Sequence, residues 1–164
     1  MGKKCFCSSG LIEFNCPNSV TAIPNNCFDK CSELKKVRLS NQVKKLGFCA
    51  FMECFNLQDI MLPESVLEIE AFCFARTKIK TIIFPRKVKK ISGAIFGNNY
   101  TKKPNYVICV FLGKETIIEF MDIGNTVFHA SLIYCLPGSN ILQFARERSI
   151  PTKPLSEFSK ENIV

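Results

Sequence analysis

The chain has 164 residues, of which 47% are hydrophobic and 22% are charged, a balance typical of a globular domain with a buried core and not of a disordered segment. Its net charge of +8 favours acidic partners but carries no information about the fold. Phenylalanine occurs 15 times and tryptophan is absent, which suggests that one structural position is used repeatedly.

Neither terminus carries a recognisable targeting signal. The first residues lack the apolar region of a secretory signal peptide, and Phe6 stands where a myristoylation motif on Gly2 would need serine or threonine. No run of about 18 uncharged apolar residues is present, so the sequence predicts no transmembrane segment. As given, the chain is therefore expected to be cytoplasmic.

Several sets of residues recur at intervals of 22 or 23 along the first 97 residues. Such a fixed period is the signature of a repeat architecture, in which each unit buries its apolar side against its neighbours. Four of these sets of equivalent positions are Val20, Val43, Val66 and Val88; Ile23, Leu46, Ile69 and Ile91; Phe28, Phe51, Phe74 and Phe96; and Cys27, Ala50, Cys73 and Ile95.

A single unit predicts two short extended segments and a turn. Ile60 and Leu62 alternate with polar residues, as in a half-buried strand, and Pro63 ends that strand. A second extended segment leads to Ile69, and a short helical turn then places Phe74 in the core. The predicted fold is an α/β but mainly β solenoid, in which the first strands of successive units form a parallel β-strand ladder with short helical turns.

Ten cysteines occur in the chain, but their spacing does not favour a zinc site, since there is no CxxC pair and His129 is the single histidine. Most of the cysteines belong to the repeat. Buried reduced thiols are the preferred interpretation, with some disulfides as the alternative. The sequence predicts neither a metal site nor a cofactor.

These repeats resemble the BspA-type leucine-rich repeat family. One unit matches the family pattern through Pro63, Ser65, Val66, Ala71 and Phe74, and a second does so between Val37 and Leu57. The resemblance implies a leucine-rich-repeat solenoid of about four repeats. It also implies a role in protein binding of the adhesion or surface-antigen kind.

The repeats are expected to span residues 1–97, the first of them incomplete, because Gly2 to Phe6 aligns with Gly47 to Phe51. Either a cap is missing or the chain is a fragment. In the second case an upstream signal for the cell surface could have been lost. The uncapped first repeat also predicts a route to association with a second copy.

Residues 98–151 are expected to form a repeat-like capping segment. Two strand candidates, Tyr106 to Leu112 and Thr116 to Phe120, are joined by Gly113-Lys114, which suggests a hairpin. Ser139 is a good N-cap for a helix over residues 140–148. Residues 152–164 are expected to be a loose tail.

No catalytic motif is found, and the protein is predicted not to be an enzyme. His129 lies between apolar residues, Cys5 and Cys7 fit structural packing, and the acidic pair Glu68 and Glu70 shows no partner base in the sequence.

The outward positions of the predicted first strands offer a candidate binding face, because a variable set of side chains on a fixed frame suits recognition. These residues are Glu13, Asn15, Lys36, Arg38, Asp59, Met61, Thr81 and Ile83.

A second candidate surface is basic, since no acidic residue occurs between Glu70 and Glu115. We expect it to favour an acidic protein, a sulfated glycan or, less well supported, a nucleic acid. Its residues are Arg76, Lys78, Lys80, Arg86, Lys87, Lys89 and Lys90.

The sequence thus favours a non-enzymatic protein-binding module of the adhesion or surface-antigen kind. An intracellular scaffold or regulatory module of the same fold is the alternative. Polyanion binding through the basic residues is a third.

Overall fold

A computed structural model describes residues 1–97, 107–119 and 128–159 as a stack of short parallel strands. One α-helix and one short 3-10 helix, Leu155–Glu157, lie near the C-terminus. The elements, numbered in chain order, are β1 Glu13–Asn15, β2 Ala22–Ile23, β3 Lys36–Arg38, β4 Lys45–Leu46, β5 Glu68–Ile69, β6 Thr81–Phe84, β7 Lys90–Ser92, β8 Val107–Phe111, β9 Ile117–Glu119, β10 Ala130–Cys135, α1 Asn140–Glu147 and β11 Thr152–Pro154.

The strands form two ladders that run along the stack, and every pairing is parallel. The second strands of successive units make one five-stranded sheet in the order β2-β4-β5-β7-β9. The first strands make two sheets, β1-β3 and β6-β8-β10-β11. Lys45 pairs with Glu68 and Glu68 with Lys90, so the register advances by one repeat at each step. The predicted solenoid is therefore confirmed.

The repeated phenylalanine position forms a continuous stack of rings inside the solenoid. The Phe28 and Phe51 ring centroids are 5.2 Å apart with nearly parallel planes, and Phe51 lies 5.9 Å from Phe74. Phe6 extends the stack at 5.3 Å from Phe28. Large apolar side chains buried in this way contribute much of the core energy of a small domain, which explains why the sequence repeats phenylalanine.

The expected short helical turns are not confirmed. Alternate residues in these turns donate their N–H groups to the next coil, as Phe28 does to the Ala50 carbonyl at 2.8 Å and Phe51 to that of Cys73 at 2.9 Å. Asn26 and Cys49 have positive φ angles, which a right-handed helix excludes. Because these N–H groups bond between coils and not along the chain, the segment forms a third ladder of stacked turns.

The predicted hairpin around Gly113 was wrong. β8 lies between β6 and β10, and β9 pairs with β7 in the other sheet, so this region adds another coil to the solenoid. Gly113 is needed for a close approach, since a Cβ there would lie 2.5 Å from the Arg86 carbonyl oxygen. Tyr106 and Phe120, the outer ends of the two predicted strands, lie outside the described residues.

The C-terminal helix is confirmed at α1. The Ser139 hydroxyl caps it by accepting a hydrogen bond from the Leu142 N–H at 3.2 Å. The tail is more ordered than expected, because β11 pairs with β10 through Ile133 and Thr152. Residues 160–164 of the predicted tail lie outside the described residues, as do 98–106 and 120–127 of the predicted capping segment. The division of the chain at residues 97 and 151 stays a prediction.

Most of the cysteine side chains are buried, and all ten are free thiols. The Cys54 thiol donates to the Phe28 carbonyl at 3.1 Å and the Cys31 thiol to the Phe6 carbonyl at 2.9 Å, so each ties one coil to the preceding one. Burial raises the pKa of Cys27 to about 12 and that of Cys49 to about 11, which keeps both thiols neutral. Cys5 was expected in the core but is exposed.

Candidate binding surface

The first strands place one row of side chains in the core and two rows outside. In β3, Val37 is buried while Lys36 and Arg38 are exposed, as expected for residues that alternate along a strand. The same alternation holds at Ile60, which is buried between exposed Asp59 and Met61. We call the outward side of the first strands the front face.

All eight residues of the predicted binding face lie on this front face. Glu13 is in register with Lys36 and Asn15 with Arg38, and Arg38 is bridged to Met61, so the residues follow one another from coil to coil. The half-buried members of the set are Thr81 and Ile83 of β6.

The front face continues over residues that the sequence analysis missed. Thr81 is in register with Ile108 of β8, which is in register with Leu132 of β10, and both are half-buried. They were missed because the region was interpreted as a hairpin. Residues 107–111 are apolar throughout, so the sequence shows no alternation that could have identified Ile108 as an outward position. The face is thus polar at β1 and β3, and from β6 to β10 it is mostly apolar through Ile83, Ile108 and Leu132.

Among the described residues, the cations at the polar end of the front face form no close ion pair, although Lys36 is in register with Glu13. Within the described part of the chain, neither Lys36 nor Arg38 forms an ion pair within 4.0 Å. Met61, which is bridged to Arg38, is 79% exposed. A large apolar side chain beside unpaired cations is a surface that a partner can cover with a gain in free energy.

The ladder of first strands is interrupted beyond Met61. β3 ends one sheet and β6 begins the other, and among the described residues no backbone hydrogen bond joins residues 59–62 to β6. A depression of about 370 Å³ lies at this interruption. We call it the strand depression; it is lined by Gln58, Asp59, Ile60, Met61, Leu62, Glu64, Lys80, Thr81, Ile83, Pro85 and Leu112.

A second depression, of about 430 Å³, lies where the chain leaves the first strands near the C-terminal end. We call it the loop depression; it is lined by Arg86, Leu112, Gly113, Lys114, Glu115, Leu136 and Leu155. Of these residues, the sequence analysis assigned only Arg86 to a candidate surface, because the set comes together only when the coils are stacked.

The outer side of the second strands is held by ion pairs. Lys45 Nζ lies 2.6 Å from a Glu70 carboxylate oxygen and 3.5 Å from one of Glu68, and Lys90 Nζ lies 2.6 Å from one of Glu119. The hydrogen bond that the Lys45 ammonium donates to Glu70 raises the pKa of Lys45. Glu68 and Glu70, which showed no partner in the sequence, are thus salt-bridged. A depression of about 330 Å³ on this side is lined by the same charged pairs.

The structure divides the predicted basic residues among several sides of one coil. Arg76 pairs with Glu53 at 2.8 Å and lies over the Phe55 ring at 5.3 Å. Lys78 donates to the Asn56 side chain at 3.2 Å. Lys87 and Lys89 are exposed on either side of buried Val88, and Lys90 is in β7. Arg86 lines the loop depression, and Lys80 lines the strand depression. They do not form one continuous patch.

The remaining chemically reactive candidates are separate from one another. His129 is half-buried and burial lowers its pKa, while its backbone carbonyl accepts a hydrogen bond from Val107. Cys5 and Cys7 lie in the first turn. Among the residues that the structure describes, no group of three or more histidine, cysteine, aspartate or glutamate side chains could hold a metal ion, and no helix is long and apolar enough to span a bilayer.

Comparison with known proteins settles the family. The sequence model of the BspA type Leucine rich repeat region matches six copies over residues 1–109. The chain belongs to this family. Six copies are more than the four repeats expected, and the match extends past residue 97 to residue 109 in β8. Members of this family are repeat modules for protein interaction. No curated protein sequence matches the chain.

Two solved structures share the fold, and a third matches more weakly. A leucine-rich repeat protein of T. pallidum (TpLRR) is 18% identical, with a TM-score of 0.58 over 92% of this chain and 77% of that one. The pneumococcal vaccine antigen PcpA is 20% identical, with a TM-score of 0.50 over 88% of this chain and 40% of that one. A leucine-rich repeat protein from Bacteroides ovatus ATCC 8483 is 18% identical over 75% of this chain and 37% of that one, with a TM-score of 0.47.

Proposed function

We propose that the protein is a non-enzymatic binding module that recognises another protein through its front face. The observation that carries this proposal is the exposed Met61, which is bridged to Arg38, beside Lys36 and Arg38, neither of which forms an ion pair within 4.0 Å among the described residues. Aromatic, methionine and arginine side chains are enriched where proteins bind one another, and charges at the rim guide the encounter.

Selection of ligands on the native protein tests this proposal. Peptides selected from a displayed library on the immobilised protein are then measured against the variants K36E/R38E and M61S. Exposed Lys44 precedes β4 in the other ladder, so K44E is the matched control. We expect the front-face variants to weaken binding and K44E to leave it unchanged. If the selected ligands bound all variants equally, the front face would not be the recognition surface.

We further propose an adhesion or surface-antigen role at the cell surface. Its support is the family, together with the fold shared with PcpA, which is described as a vaccine antigen. Antibodies against the protein should label intact cells of the source organism as strongly as permeabilised ones. Labelling that requires permeabilisation would favour the alternative, an intracellular scaffold or regulatory module.

Two further interactions are proposed from single observations. The absence of acidic residues between Glu70 and Glu115 supports polyanion binding, which predicts retention on heparin that falls steeply with salt. At the N-terminal end of the solenoid, Ile12 is 56% exposed beside the edge strand β1. An exposed apolar side chain at an unpaired edge supports dimerisation through the first repeats of two copies. Light scattering should then show a dimer that I12E converts to a monomer; a monomeric native protein would refute it.

A further inference from the structure

The strand depression and the loop depression meet at one side chain. Leu112 lines both, so the two depressions adjoin at this residue, and we call them together the groove. The groove has an apolar floor, and its half-buried or exposed apolar side chains remain available for contact. These are Met61, Ile83, Leu112, Leu136 and Leu155.

The two ends of the groove carry opposite charge. Asp59 and Glu64 lie at the Met61 end with one ammonium group, that of Lys80. Arg86 and Lys114 lie at the other end with one carboxylate, that of Glu115.

The charged side chains that give each end of the groove its net charge are available to bind a ligand. In the part of the chain that the structure describes, Asp59, Glu64, Arg86 and Lys114 take no part in an ion pair within 4.0 Å. The groove is therefore bipolar, acidic at the Met61 end and basic at the Leu155 end.

The length of the groove suits a short extended peptide. Hydrogen-bonded strands lie about 4.8 Å apart, so the three steps from β6 through β8 and β10 to β11, which directly precedes Leu155, span about 14 Å. An extended chain advances about 3.3 Å per residue, so about five residues cover this distance. Alternate side chains of such a segment point to the same side and can contact the apolar floor.

We propose, on the basis of the protein-binding function above, that this groove holds an extended segment of a partner protein with a defined charge pattern. The segment carries apolar side chains at alternate positions, a basic residue at the end that lies near Asp59 and Glu64, and an acidic residue at the end that lies near Arg86 and Lys114. A uniformly anionic polymer fits less well, because Asp59 and Glu64 would repel it.

The test uses three fluorescein-labelled peptides that share leucine at alternate positions and differ only in their terminal charges. One has lysines at one end and glutamates at the other, one has lysines at both ends, and one has glutamates at both. Fluorescence anisotropy at low salt should show that the bipolar peptide binds about tenfold more tightly than either uniform peptide, since each of those meets a like charge at one end. Equal affinities for the three peptides would overturn the proposal.

Charge reversal then tests the position of the basic end. In R86E/K114E the whole groove is acidic, so the peptide with lysines at both ends should become the tightest ligand. K87E/K89E is the matched control, because both lysines are exposed and neither lines the groove. Circular dichroism checks that each variant is folded. An unchanged peptide preference in R86E/K114E, or the same change in the control, would refute the assignment.

The comparison also separates this inference from the function on which it rests. If the three peptides bind alike while ligands selected on the native protein still depend on Lys36 and Arg38, the groove proposal fails and the front-face proposal stands. If R86E/K114E does not fold, the three peptides on the native protein decide the question alone.

Discussion

The substitution Phe51→Ala tests whether the ring stack holds the solenoid together. Phe51 is fully buried, and its ring lies between those of Phe28 and Phe74 at 5.2 and 5.9 Å. It therefore contacts both neighbouring coils, and its truncation leaves a cavity that rigid strands on two sides cannot easily fill.

The expected loss is large for a single side chain. Removing a buried phenylalanine to alanine costs about 3–5 kcal/mol, of which each ring pair supplies about 0.5–1.5 kcal/mol. Small domains are stable by about 5–15 kcal/mol, so the variant should lie close to its unfolding threshold at room temperature. Repeats unfold together because each stabilises its neighbours. Weakening the contacts of one coil with both neighbours should therefore also broaden the unfolding transition.

Urea denaturation followed by circular dichroism under reducing conditions measures this loss. The control is Phe55→Ala, because Phe55 is 39% exposed and its ring lies under the Arg76 guanidinium at 5.3 Å. That variant should lose about 1 kcal/mol or less. A loss below about 1 kcal/mol for Phe51→Ala, or equal losses in both variants, would refute the role of the stack.

Three other measurements follow from the structure. Burial raises the pKa of Cys27 to about 12 and of Cys49 to about 11, so the unfolded chain loses these protons first. The contribution of these two thiols to the free energy of unfolding should therefore be constant below a pH of about 9 and should fall as the pH rises toward those values, which denaturation at a series of alkaline pH values can check. Gly113→Ala should cost about 1–3 kcal/mol because its Cβ would collide with the Arg86 backbone, whereas Gly10→Ala, with no atom within 4 Å, should be neutral in the same assay. Glu70→Gln should cost less than about 1 kcal/mol by thermal unfolding, with no effect on peptide binding, since its ion pair is partly exposed and lies away from the front face.

The sequence was sufficient to predict which residues of successive coils are equivalent, because the positions that face the core recur once in every coil. Val43, Val66 and Val88 were aligned from spacing alone, and all three are buried in successive coils. The outward positions followed from strand alternation, so the exposed Lys36 and Arg38 were also predictable.

The errors arose where hydrogen bonds between coils decide the structure. Asn26 and Cys49 adopt positive φ angles in turns that bond to neighbouring coils. Asparagine is compatible with this conformation, but cysteine at the equivalent position of the next coil does not signal it. Gly113 was interpreted as a hairpin glycine, since its close approach to Arg86 comes from a residue 27 positions away and cannot be read from local sequence. The groove was missed for the same reason, because Leu112, Leu136 and Leu155 come from different coils.

The two sides of the solenoid differ in how their charges are used, and this difference argues for the front face as the binding side. On the second strands, Lys45 and Lys90 are neutralised by carboxylates at 2.6 Å, so a partner would have to break existing ion pairs in order to bind there. On the front face, Arg38 forms no ion pair among the described residues and lies beside exposed Met61. Burying a charge against a partner is costly unless the partner supplies an opposite charge. A surface whose charges have no counterion within the protein is therefore the more selective for a ligand of complementary charge.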